Sequence, residues 1–175
     1  MSGKAIKTVI IILLCMLLFL SLMALVIFEE RREYPKKYSD IVEKYSSEFS
    51  VPEQIVYSVI KVESDFVRDA TSGSGACGLM QLMPSTYEWL VELRGEEIKE
   101  IYNEDENIKY GTFYLSLLYE KYKDWTLTLC AYNAGPTNVD SWLEREPFEI
   151  ALSQTKNYVN KIKVANGRYS ALYYG

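Results

Sequence analysis

The sequence contains no histidine and only three cysteines among its 175 residues. Without histidine, the chain lacks the Ser-His and Cys-His pairs that activate nucleophiles, and it cannot form a histidine-ligated zinc site. The cysteines show no spacing typical of a metal site, so we expect neither a metal nor a cofactor. If the chain is an enzyme, its chemistry must come from carboxylates, amides, hydroxyls or its 15 tyrosines.

Positive charge is scarce in the part of the chain that follows the first 28 residues. Residues 29–175 carry 17 basic and 24 acidic side chains, which gives a formal charge of −7. Such a surface repels the phosphate backbone, so nucleic acid is excluded as a partner. The sequence does not identify any protein partner.

Charged residues are absent from residues 8–28, which are rich in Ile, Leu, Val, Met and Phe. An apolar stretch of this length predicts a transmembrane helix. A cleavable signal peptide is the alternative, but the apolar region is too long for one and no small-x-small site precedes Glu29. Basic residues flank both ends, so the short N-terminal tail decides the predicted orientation. We expect a single-pass anchor in the cell membrane, with the following domain on the extracytoplasmic side.

Helical periodicity dominates the rest of the sequence and strand-like alternation is scarce, which predicts a mostly α domain. We divide the chain into a cytoplasmic tip with a signal anchor (1–28), a charged stem (29–40) and a folded domain (41–175). Ser50, Pro52 and Glu53 form a pattern typical of a capping box, which predicts a helix from there to about Ser64. Further helices are predicted over residues 84–93, 107–122, 125–133, 136–144 and 153–165.

Glu63 is the most informative residue of the first predicted domain helix. It follows Val56 and Ile60 at intervals of four and three, so its carboxyl group projects from the apolar face. A carboxyl group held among apolar neighbours has a raised pKa and can act as a general acid near neutral pH. The alternative is that the last turn frays and Glu63 faces water.

Four short motifs follow one another in order along the domain. They are Val62-Glu63-Ser64-x-Phe66, Ser72-x-x-Gly75-Ala76-x-Gly78-Leu79-Met80-Gln81-Leu82-Met83-Pro84, Asn107-Ile108-x-x-Gly111 and Ala131-Tyr132-Asn133-Ala134-Gly135-Pro136. Together they resemble the lytic transglycosylases with the Slt-type, goose-lysozyme-like domain, over about residues 41–165. The resemblance implies a lysozyme-like helical fold.

The resemblance also implies an activity and a set of site residues. Glu63 is expected to be the single catalytic acid and base. The family cleaves the β-1,4 bond between N-acetylmuramic acid and N-acetylglucosamine of peptidoglycan, and the muramyl 6-hydroxyl attacks C1 to leave a 1,6-anhydro end. The partner is then a peptidoglycan glycan strand. The expected substrate-binding residues are Ser72, Met80, Gln81, Met83, Tyr132, Asn133 and Tyr158.

Two other functions fit the same fold. A hydrolytic muramidase would place a second carboxylate on the sugar, for which Asp65 and Asp69 are the candidates, although either can equally be a solvated loop residue. A catalytically silent peptidoglycan-binding assembly factor would keep the groove alone. Glu63 argues against the second alternative, because a binding protein does not need a carboxyl group on an apolar face.

Some positions depart from the family pattern or leave a question open. Arg68 stands where a proline is common, and Gln154 stands where a glutamate near the saccharide subsites is usual, which puts one secondary contact in doubt. Cys77 and Cys130 adjoin two different motifs. They form either a disulfide that links the walls of the site or two small buried thiols.

Overall fold

The computed structural model describes residues 3–145, 149–150 and 152–175. It begins with helix α1 (Gly3–Glu33), whose apolar side chains are exposed along most of its length. Within it, Ile6–Glu33 is long and apolar enough to cross a membrane, judged by length and composition. The predicted apolar span of residues 8–28 therefore lies inside one continuous helix.

Seven further α-helices and one short π-helical turn follow in the described residues. They are α2 (Ser39–Phe49), α3 (Glu53–Ser64), α4 (Pro84–Arg94), α5 (Glu104–Tyr122), α6 (Trp125–Ala134), α7 (Pro136–Leu143), α8 (Ser153–Tyr169) and the π-helix Ser170–Tyr174. Within the described ranges the only β-type pairings are two isolated bridges, Thr71 with Cys77 and Cys77 with Leu82. The prediction of a mostly α fold is confirmed.

The five helices predicted beyond residue 80 are all present, with ends that differ by four residues at most. The predicted capping box at Ser50 is wrong, although the helix that it was meant to begin does end at Ser64. Ser50 instead ends α2 in a left-handed conformation, and its backbone N–H donates to the Ser46 carbonyl. Glu53 binds Lys36 and Tyr174 rather than the helix terminus. Helix α2 was not predicted from the sequence.

Helix α3 lies at the centre of the domain. Its residues from Ile55 to Ile60 are all buried, and α8 and α2 pack along it. Helix α5 adds a stripe at helical spacing, formed by Ile108, Gly111, Leu115 and Leu118. Gly111 is required here, because a Cβ atom would overlap the Met80 side chain. The core thus fixes α3 and the loop that follows it.

The charged stem is attached to the domain. Helix α1 continues to Glu33, and Lys61 of α3 donates to the Glu33 carboxylate over 2.8 Å. Arg168 pairs with Glu30 at 3.3 Å. The Tyr34 and Tyr169 rings meet edge to face with centroids 5.6 Å apart. These contacts hold the end of α1, where the sequence predicts the charged stem, against α3 and α8.

Candidate active site

Glu63 occupies the last turn of α3 and lines a cavity of about 510 Å³. The wall opposite consists of the first turns of α8, and the remaining lining residues are Val62, Asn133, Ser153, Gln154, Asn157, Tyr158 and Lys161. The helix does not fray at this point. Burial raises the pKa of Glu63 from 4.5 to about 7, because the charged carboxylate loses most of its hydration. The prediction of a carboxyl group on the apolar face is therefore preferred over the water-facing alternative.

Tyr158 is the polar neighbour with the largest influence on Glu63. Its hydroxyl is buried and faces the carboxyl group closely enough to lower the pKa of Glu63, against the larger rise caused by burial. No hydrogen bond of good geometry joins the two groups, and among the described residues the hydroxyl has no other partner. Because this buried hydroxyl has no other partner in the described part of the chain and acts on the pKa of Glu63, Tyr158 is positioned to respond to the charge on Glu63.

Tyr132 supports the other side of the site. Its hydroxyl donates to the Met80 carbonyl over 2.8 Å, and its ring packs on Tyr114 with centroids 5.4 Å apart. Desolvation and the nearby Glu63 carboxyl raise the pKa of Tyr132 well above its ordinary value. It therefore remains a neutral phenol that ties α6 to the loop after α3.

Asn107 is a structural centre of the site, although it was not among the predicted site residues. Its side chain is fully buried, and its amide oxygen accepts from the Met80 N–H over 2.7 Å. Its amide nitrogen donates to the carbonyls of Cys77 and Ile101, at 3.0 and 2.8 Å. A Cβ atom at Gly78 would overlap the same amide. The only feature of the sequence that pointed to Asn107 was its place at the start of the Asn107-Ile108-x-x-Gly111 motif.

Gln81 has a left-handed backbone, with φ of 49°. Its side-chain nitrogen donates to the carbonyls of Ala70 and Gly78, at 3.0 and 2.9 Å. The amide thus closes its own loop, and its carbonyl oxygen has no partner among the described residues. Together with Met83, Tyr132 and Asn133, Gln81 lines a second cavity of about 260 Å³.

Asn133 joins the two cavities, because it lines both of them. Its amide oxygen accepts from the buried Thr155 hydroxyl over 2.9 Å, which orients the exposed side chain. The cavities of Glu63 and Gln81 therefore adjoin at Asn133, and the two together are called the groove. Gln154, the predicted departure from the family pattern, contributes an amide to the Glu63 side of this groove.

Two predicted site residues lie elsewhere. The Met80 side chain is fully buried and packs against Gly111, so it supports the floor of the groove instead of lining it. Ser72 accepts from the Ala76 N–H over 3.0 Å and closes the turn around Gly75. It lines neither cavity. Both residues are close to the site in sequence, but their side chains are used in the loop itself.

The two candidate second carboxylates also lie outside the groove. Asp65 ends α3, pairs with Lys61 at 2.8 Å and leaves 70% of its side chain exposed. Asp69 is exposed in the following loop. Among the described residues that line the two cavities, Glu63 is the only carboxylate. Neither Asp65 nor Asp69 therefore forms a pair of carboxylates with Glu63 across the groove.

The cysteine question is resolved in favour of thiols. Cys77 and Cys130 are both free and buried, and desolvation raises the pKa of Cys130 to about 11. No group of three or more potential metal ligands occurs in the described part of the chain.

Comparison with known proteins identifies the fold and the family. The transglycosylase SLT domain family matches residues 40–152. The chain is 28% identical over 155 residues to the soluble lytic murein transglycosylase of Escherichia coli, which covers 81% of this chain and 24% of that protein. It is 34% identical over 116 residues to the membrane-bound lytic murein transglycosylase C of Serratia proteamaculans, covering 59% and 32%.

The solved structures give the same result. The 70 kDa soluble lytic transglycosylase of Escherichia coli superposes with a TM-score of 0.76 at 26% identity, over 81% of this chain and 25% of that one. An inactive glutamate-to-glutamine variant of the Pseudomonas aeruginosa enzyme gives a TM-score of 0.73 at 27% identity, over 79% and 24%. The chain thus spans about a quarter of the length of these soluble relatives. The lysozyme-like fold expected from the sequence is confirmed.

Proposed function

Because this chain belongs to the transglycosylase SLT domain family, we propose that it is a membrane-anchored lytic murein transglycosylase. It cleaves the β-1,4 bond between N-acetylmuramic acid and N-acetylglucosamine and leaves a 1,6-anhydro-muramyl end. The observation that carries the proposal is the desolvated Glu63 carboxyl in the groove, whose pKa of about 7 keeps a large fraction of it protonated at neutral pH.

One carboxyl group is sufficient for this reaction. Protonated Glu63 gives its proton to the bridging oxygen as the bond from that oxygen to the muramyl C1 breaks. The muramyl 6-hydroxyl oxygen then bonds to C1, and its proton passes to the Glu63 carboxylate. Acid and base are the same group, and no water is consumed. A carboxyl group whose pKa lies near the working pH suits both steps.

The other groove residues are assigned by position. Gln81 presents a neutral carbonyl oxygen, Asn133 an amide that spans both cavities, and Met83 an exposed thioether on the wall. Tyr158 is placed to donate to the carboxylate that forms after the first proton transfer. These are the hydrogen-bonding and apolar contacts that an acetamido sugar requires.

The absence of Asp65 and Asp69 from the groove favours this chemistry over hydrolysis, since a retaining or inverting glycosidase places two carboxylates across the bond. The inactive glutamate-to-glutamine variant of the Pseudomonas aeruginosa relative also fits a mechanism that depends on one glutamate.

Helix α1 supports the anchoring part of the proposal. It is long and apolar enough to span a membrane, and relatives named as membrane-bound lytic murein transglycosylases are among those that match. The helix crosses the cell membrane once, with the catalytic domain on the extracytoplasmic side, where peptidoglycan lies.

The test is digestion of purified peptidoglycan by the full chain and by Glu63→Gln, Asp65→Asn and Asp69→Asn variants. We expect Glu63→Gln to bind glycan and release no soluble fragments, whereas both aspartate variants remain active. If Glu63→Gln retains activity, the assignment is wrong. Loss of activity in either aspartate variant, with the fold intact, would favour the muramidase.

A further inference from the structure

The groove of the catalytic site continues along α8 towards the membrane helix. The Glu63 cavity shares Val62, Asn157 and Lys161 with a larger cavity of about 650 Å³, which reaches Tyr34 at the end of α1. That cavity shares Tyr34 with a third one, of about 580 Å³, lined by Leu25 and Val26 of α1 itself. Through these shared residues the three cavities adjoin one another in series, from the catalytic carboxyl to the apolar part of α1.

A single face of α8 lines all three cavities. Asn157, Lys161, Val164 and Arg168 follow at intervals of four, three and four, and Asn160 lies three residues after Asn157, so all five lie on one stripe of the helix. Asn157, Asn160 and Lys161 are exposed, and no described residue hydrogen-bonds to their side chains. The stripe therefore offers two free amides and one free ammonium beside the catalytic cavity.

The path to the membrane helix is short. Asn157 and Arg168 are eleven positions apart, which corresponds to a helical rise of about 16 Å. Arg168 contacts Glu30, two residues after the apolar span ends. Whatever the tilt of α8, this rise limits the height of the catalytic cavity above the end of α1. The ion pair between Lys61 and Glu33 and the packing of Tyr34 on Tyr169 keep the domain at that height.

These observations point to one substrate. We propose that the α8 stripe binds the segment of a glycan strand that lies between the cleaved bond and a membrane-lipid attachment, so that the enzyme acts on strands still linked to the membrane. Sugar hydroxyl and acetamido groups suit the amides, and carboxylates of the strand suit Lys161. A strand held by its lipid beside α1 presents its first sugars to the stripe at high effective concentration. This inference rests on the proposed function.

The test uses the full chain in phospholipid vesicles with fluorescent peptidoglycan strands joined through a diphosphate to a polyprenyl lipid. The comparison substrate is the same strands after mild acid has cleaved the diphosphate. The measured quantity is the ratio of the initial cleavage rates of the linked and released strands. Anchoring alone favours the linked strands, so the variants isolate the contribution of the stripe.

The decisive variant is Asn160→Ala/Lys161→Ala, and Lys163→Ala is the control, since Lys163 is an exposed lysine on another face of the same helix. Loss of two hydrogen-bonding groups should lower the rate ratio about tenfold. The control should keep the wild-type ratio. An unchanged rate ratio in the double variant overturns the proposal. This includes the case in which the cleavage rates of linked and released strands fall together, because the stripe would then be a general glycan subsite.

Failure of the proposed function has a different signature. If the wild-type chain cleaves neither substrate, or both products carry hydrolysed ends, the transglycosylase assignment itself fails. If it forms anhydro ends on both substrates at equal rates, the assignment stands and the membrane-linked substrate is refuted.

Discussion

Replacing Glu63 by glutamine should make the protein more stable at high pH and nearly inactive at every pH. The pKa of Glu63 is 4.5 in a solvated chain and about 7 in the fold. Below pH 4.5 Glu63 is protonated in both the folded and the unfolded state, so its burial carries no penalty in the free energy of unfolding. Between pH 4.5 and 7 only the unfolded state ionises, so stability falls as the pH rises, and above pH 7 the full penalty applies. A shift of this size corresponds to roughly 3 kcal/mol.

The amide of glutamine is neutral and nearly the same shape as a protonated carboxyl group, so Glu63→Gln avoids this penalty. Urea unfolding of the full chain in detergent should give equal free energies of unfolding for variant and wild type at pH 4. At pH 8 the variant should be more stable, by an amount close to that penalty. Equal stability at both pH values would refute the burial of Glu63 as the cause of its raised pKa.

Three further predictions concern the groups around the site. The wild-type kcat/KM should fall above about pH 7, because Glu63 loses its proton there. In a Tyr158→Phe variant this fall should occur at higher pH, because the substitution removes a hydroxyl that lowers the pKa of Glu63. A fall at the same pH in variant and wild type would contradict this role of Tyr158. Asn107→Ala should lower the free energy of unfolding by about 2–4 kcal/mol in urea titrations, since it leaves buried backbone groups unpaired; a loss below 1 kcal/mol would count against it. Gly111→Ala should cost about 1–3 kcal/mol by overpacking, whereas Gly73→Ala, where a Cβ meets nothing within 4 Å, should be nearly neutral.

Regular spacing made the helices and the position of Glu63 predictable. The intervals from Val56 to Ile60 and Glu63 fix one face of α3 whatever surrounds the helix. Burial of that face then raises the pKa, as expected for a desolvated carboxyl group. The apolar stretch of α1 was equally clear, because length and composition alone define it.

Tertiary contacts account for what the sequence did not reveal. Met80 and Gln81 are neighbours in the chain, but a left-handed backbone at Gln81 sends one side chain into the core and the other into the groove. Asn107 acts through three hydrogen bonds to residues that are between 6 and 30 positions away. Ser50 had the composition of an N-cap, yet α2, which was not predicted, ends there.

The contacts of the stem are also tertiary contacts that the sequence did not reveal. Its charges and Pro35 are typical of a spacer, and composition cannot reveal that Glu33 and Glu30 meet Lys61 and Arg168. The partners lie far along the chain, and the contact depends on how α3 and α8 pack. The attachment of the domain to the end of α1, on which the membrane-linked substrate depends, became visible only in the fold.

The mass of the cleaved ends tests the central claim most directly. Peptidoglycan is digested by the full chain in water labelled with heavy oxygen, and the muramyl ends are analysed by mass spectrometry. If Glu63 acts alone through the 6-hydroxyl, the new ends are one water lighter than hydrolysed muramic acid and carry no label. Labelled ends of full mass would show that water is the nucleophile and would contradict the account.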